Sequence, residues 1–93
     1  MATARCYEDL VVWRRSHQLA LVIYRLTADY PKSELFGLVS QMRRAAVSVP
    51  ANITEGFRRR SRTEKARFVN IAHASLDELD YFLLLSGDLG MRR

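Results

Sequence analysis

The chain has 93 residues, 48% hydrophobic and 27% charged, a balance that fits one small globular domain over residues 1–93 and excludes a disordered tail. Its single cysteine, Cys6, excludes an intramolecular disulfide framework and reads as a free thiol in a reducing compartment. No apolar run approaches the roughly 18 residues that span a bilayer, and Glu8 and Asp9 interrupt any signal-peptide plan, so a cytoplasmic protein without membrane contact is expected.

In chain order the sequence reads helix, turn, helix, turn, helix, and no segment alternates in a way that demands a strand. The first helix is predicted over about 9–29, with Glu8 and Asp9 at its positive end and Leu10, Trp13, His17, Ala20 and Tyr24 as its apolar stripe. Pro31 disfavours helical geometry at Tyr30 and closes it. The second helix is predicted over about 34–57, with Ser33 or a near neighbour as cap and Gly37 in its first turn. Its core stripe is Leu38, Met42, Ala45, Val49 and Ile53, which stays in register through Pro50. Pro50 is therefore expected to bend the helix without ending it. Gly56 lies near the end, where a left-handed residue is often needed. Ser61-Arg-Thr-Glu64 has the form of a capping box and opens a third helix over about 62–86.

Two stretches stand out from this frame. Gln41, Arg44, Ser48, Asn52 and Glu55 run beside the core stripe with the same helical rhythm. Short hydrogen-bonding groups in this pattern suit a packed polar seam between subunits or inside the core, because buried polar atoms need partners. Arg44 and Glu55 lie eleven residues apart, three turns of helix, and so cannot pair directly. The second stretch is the cationic turn Arg58, Arg59, Arg60 and Arg62, with Lys65 and Arg67 a turn further on. Residues 43–67 hold eight basic and two acidic groups, whereas 68–93 hold two basic and four acidic, so the net charge of +5 is concentrated at this turn. Thirteen of the fifteen basic residues are Arg, whose planar fork suits carboxylate and phosphate. The run reads either as a solvated, capped turn or as a phosphate-contacting patch that recognises charge and shape rather than sequence.

The third helix carries an ordinary core stripe of Phe68, Ala72, Ser75, Leu79 and Phe82. Tyr81, Phe82, Leu83, Leu84 and Leu85 are apolar all the way round, which calls for cover on more than one side. Trp13, Tyr81, Phe82, Leu84 and Leu85 are accordingly candidate apolar interface residues. His17, His73 and Asp77 are too scattered for a metal-ligand set, and neither a metal nor a cofactor is expected. There is no Gly-rich phosphate loop, no Ser/His/Asp order and no evident carboxylate pair, so the chain is not expected to be an enzyme.

Asp9-Leu-x-x-Trp13, Ser40-Gln-x-Arg-Arg-Ala-Ala-Val-Ser48, Pro50-x-Asn-Ile-x-Glu-Gly56 and Ile71-Ala-x-x-Ser-Leu-x-Glu-Leu79 together resemble the four-helix-bundle proteins of the 23S rRNA intervening-sequence family over roughly residues 7–90. The resemblance implies an all-α, up-and-down antiparallel bundle that assembles as a homo-oligomer, a pentamer in known examples. A related branch is the accessory protein of diversity-generating retroelements, a basic pentameric barrel that binds its reverse transcriptase and nucleic acid. Family members usually continue beyond the Asp88-Leu-Gly90 position into a fourth helix. The expectation here is three helices of the four-helix pattern, with the fourth missing through truncation or frameshift. The functional expectation is a non-enzymatic oligomer whose basic surface engages RNA, DNA or a nucleic-acid enzyme such as a reverse transcriptase. The alternative is a pure protein-interaction scaffold.

Overall fold

The computed structural model describes residues 4–91, and all of their regular structure is helical. A 3-10 turn at Tyr7–Asp9 precedes α1 (Val11–Thr27). A second 3-10 turn (Lys32–Glu34) and a widened helical turn (Leu35–Val39) lead into α2 (Ser40–Arg58), and a three-residue reversal leads into α3 (Arg62–Asp88). α2 lies between the other two and packs on both, while the α1 and α3 backbones have little direct contact. The result is an all-α, up-and-down bundle.

Local chemistry accounts for most boundaries. Glu8 and Asp9 fall in the 3-10 turn rather than in α1, whose first residue follows an extended Leu10. Ser33 makes no cap. Gly37 instead takes a non-helical φ/ψ of −108°/−107°, which delays regular helix until Ser40. α2 then runs unbroken through Pro50, and Val49 stays helical and buried. Gly56 is not left-handed. It is buried where α2 meets α3, and a Cβ there would lie 3.1 Å from Phe68 Cβ, so its role is to let the two helices approach. The left-handed residue is Gly90, with φ 75°, just past α3. There the Met91 amide donates to the Ser86 carbonyl and the Gly90 amide to the Gly87 carbonyl, a Schellman closure.

The α1 stripe is turned relative to expectation. Ser16, Ala20, Ile23 and Thr27 are the buried residues, while His17 and Tyr24 are exposed and Trp13 is half-buried. Small hydroxyl residues can enter the core because their side chains bond to the helix itself. Ser16 Oγ donates to the Trp13 carbonyl at 2.9 Å, and Thr27 Oγ1 to the Ile23 carbonyl at 2.7 Å.

The core is uneven along the bundle. Its larger cluster, including Ile23, Val39, Met42, Ala46 and Leu79, lies toward the α1–α2 connection, where buried Tyr30 Oη meets Ser86 Oγ at 2.7 Å. Leu19, Leu26, Phe82, Leu83 and Leu85 close over this cluster. Toward the α2–α3 turn the core thins to Val49, Ile53 and Ala72, with Leu10 and Trp13 against them. Trp13 is fixed by its Nε1–H donating to Thr54 Oγ1 at 3.0 Å.

Candidate nucleic-acid interface

The reversal between α2 and α3 builds the basic end of the molecule. Arg59 leaves helical geometry (φ −79°, ψ 152°), and the Ser61 hydroxyl accepts from the Glu64 amide at 3.0 Å to start α3. Only half of the capping box forms, because Glu64 reaches forward to Arg67 at 3.3 Å instead of back to Ser61. Arg58, Arg59, Arg60 and Arg62 are all exposed around this turn.

The six basic groups divide by their partners. Arg59 pairs with Glu55 at 3.0 Å and Arg67 with Glu64, both as solvated local pairs worth well under about 1 kcal/mol. Lys65 is half-buried and donates to the carbonyls of Gly56 (3.3 Å) and Phe57 (3.0 Å), so it caps the last turn of α2. Among the described residues no carboxylate pairs with Arg58, Arg60 or Arg62. Among the described residues, their guanidinium groups therefore meet no ion-pair partner. The first turn of α3 adds little, because Ser61 already takes the amides of Glu64 and Lys65 and the Glu64 carboxylate sits in that turn.

Aromatic rings lie beneath the cations. Arg58 stands 5.3 Å from the Tyr7 ring centroid, and Arg59 and Arg67 stand 4.8 and 5.1 Å from that of Phe68. Such stacking restrains the long side chains while leaving their hydrogen-bonding edges to solvent. Tyr7 escapes a sequence reading because only the fold brings it to Arg58. Phe68 is half-buried at its core position and also carries the two guanidinium groups.

The seam residues do not form one network within a single chain. Gln41 and Arg44 face solvent, and Glu55 turns to Arg59. Ser48 and Asn52 do join: Asn52 Nδ2 donates to the Ser48 carbonyl and Oγ at 2.8 and 2.9 Å, and Ser75 Oγ donates to Ser48 Oγ at 2.8 Å. Arg43, not among the candidates, donates through Nε to Thr27 Oγ1 at 2.9 Å and stacks 4.6 Å from the Tyr24 ring, pinning α2 to α1. Of the candidate apolar interface residues, Tyr81 and Leu84 are exposed, whereas Trp13, Phe82 and Leu85 are half-buried against the bundle. His17 stacks on Trp13, and His73 lies 3.5 Å from Asp77 in the open. The described residues contain no cluster of three metal-type ligands. None of their helices is long and apolar enough to cross a membrane.

Where the core thins, an apolar groove of about 380 Å³ opens between α1 and α3. Its floor is Val49, Ile53 and Ala72, and its walls include Leu10, Val12, Val69 and Leu76.

Architecture and surface together define a small antiparallel helical bundle with an arginine-rich turn at one end. The family model for the 23S rRNA-intervening sequence protein matches residues 8–92, and the chain belongs to that family. No curated protein matches it.

Proposed function

We propose that this protein is a non-enzymatic bundle that binds the phosphate backbone of RNA or DNA through its α2–α3 turn. The observation that carries the reading is the set Arg58, Arg60 and Arg62, three exposed guanidinium groups at one turn that have no carboxylate partner among the described residues. Closely spaced like charges repel, and an approaching anion relieves that repulsion. Arg58 is in addition held over Tyr7, which lowers the entropy lost on contact. Arg59, Lys65 and Arg67 already have partners and serve to shape the turn. Recognition follows charge rather than base edges, so RNA and DNA of unrelated sequence compete for the same surface.

Fluorescence anisotropy with a labelled oligonucleotide tests this. About three phosphate contacts give a log affinity that falls with log salt with a slope of roughly −2 to −3. The double variant Arg58→Glu/Arg60→Glu is expected to abolish binding at low salt with helix content unchanged. Undiminished binding by that variant removes the turn from the reading.

A second reading, a protein-interaction scaffold, draws on the apolar groove between α1 and α3. The family resemblance points in that case to a nucleic-acid enzyme such as a reverse transcriptase as the partner. Capture of such an enzyme in a complex that survives nuclease and high salt would favour it.

A further inference from the structure

We propose that the α1–α2 face beside the arginine turn is a stacking track for unpaired bases, so that the nucleic acid this protein takes is single-stranded. The inference rests on phosphate binding at the turn and adds the class of strand to it.

A row of stacked planes starts at the turn itself. The Arg58 guanidinium stands 5.3 Å from the Tyr7 ring centroid, and Tyr7 tilts onto Trp13 at 5.1 Å. His17 then lies on Trp13 at 5.0 Å, with only 11° between the two planes. The bond from Trp13 Nε1 to Thr54 Oγ1 fixes the middle of the row. His17 is exposed, and among the described residues no further ring is stacked on it. Tyr24 follows seven residues on, which places it on the same side of α1 about 10 Å further along. It carries the Arg43 guanidinium at 4.6 Å, and Arg43 Nε is held by Thr27 Oγ1 at 2.9 Å. A shallow hollow of about 510 Å³ opens beside this pair, with Arg44 and Val47 in its walls.

Charge on the two helices suits the same ligand. Residues 10–28 and 35–54 hold five arginines and no carboxylate. Acidic residues resume only at Asp9 and Asp29 beside the first stretch, and at Glu34 and Glu55 beside the second. Beyond Asp9, a phosphate chain leaving the turn meets no anionic side chain within either stretch, and the arginines attract it. Stacking planes interleaved with cations are what a single strand requires. Every base offers a π-face whatever its identity, while the phosphates meet guanidinium. In a duplex those faces are already stacked on neighbouring bases, so a duplex can use only the arginines. Rings held in place before the ligand arrives also reduce the ordering cost of binding.

Fluorescence anisotropy with oligo-U, oligo-dT and a duplex of equal length, at one salt concentration, is the test. Both single strands are expected to bind at least about tenfold more tightly than the duplex. Both are also expected to quench Trp13, the only tryptophan of the chain. His17→Ala removes an exposed ring and is expected to weaken single-strand binding at least about fivefold, with duplex affinity and helix content unchanged. His17→Phe keeps a stacking plane and is expected to retain tight single-strand binding. A duplex held as tightly as the single strands overturns the track and leaves the phosphate site at the turn standing. So does an unchanged ratio of single-strand to duplex affinity in His17→Ala. Absence of binding to all three ligands by the unaltered chain removes the turn and the track together.

Discussion

Gly56 shows how a single residue sets the spacing of two helices. A methyl group added there would sit 3.1 Å from Phe68 Cβ and 3.5 Å from the Lys65 carbonyl oxygen, both atoms at or next to backbone. Neither can swing aside as the tip of a long side chain could. Gly56→Ala gains helix propensity, about 1 kcal/mol at most, but overpacks a helix crossing, which costs about 1–3 kcal/mol. A net loss of about 1 kcal/mol is expected, read as a lower urea midpoint with an unchanged slope. A raised midpoint would mean that α2 and α3 separate freely at this crossing. The sequence marks Gly56 as special but suggests a wrong reason, a left-handed turn, because local punctuation cannot register a neighbour twelve residues on. Tyr7 under Arg58, and Arg43 across Thr27, are hidden for the same reason: each pairing exists only after the helices dock.

Among the elements, α2 and α3 were legible in the sequence and α1 was legible only in part. The α2 stripe from Leu38 to Ile53 is buried as its spacing predicts, since unbranched periodicity outweighs one proline when both flanks pack. On α1, Ser16 and Thr27 look polar in sequence yet are buried, because their hydroxyls bond to their own helix, and that of Thr27 also accepts from Arg43. A periodicity count that excludes hydroxyl residues therefore rotates the helix. At the start of α3 the signal is local and was legible: Ser61 caps the Glu64 amide. Ser61→Ala is expected to lower stability by about 1 kcal/mol and Ser61→Asp to preserve it, since aspartate caps as well as serine. Thermal unfolding of the two variants checks this, and equal losses in both would show that the cap contributes nothing beyond the turn. The phosphate-site candidates were legible as composition. Which arginines lack partners was not, because that depends on where Glu55 and Glu64 turn.

For the whole molecule, the uneven core has a thermodynamic consequence. Tightly packed clusters occupy the end near Tyr30 and Ser86, while the turn end has three buried apolar residues above an open groove. A chain of this length buries only somewhat more than about 60% of its unfolded surface, so its intrinsic stability is small. The family resemblance implies assembly, and cover for the groove by another copy would contribute a sizeable share of the total that depends on protein concentration. Raising the concentration a hundredfold above the dissociation constant adds about 2.7 kcal/mol to apparent stability, which for a domain of this size shifts the midpoint by roughly 10–20 °C. The thermal midpoint is accordingly expected to climb with concentration in the unaltered chain. It is expected to be flat and low in Val69→Glu/Leu76→Glu, whose groove no longer accepts an apolar helix. Calorimetry over two decades of concentration distinguishes the cases. A midpoint independent of concentration in the unaltered chain would show that three helices suffice, and that the groove contributes nothing to holding the fold.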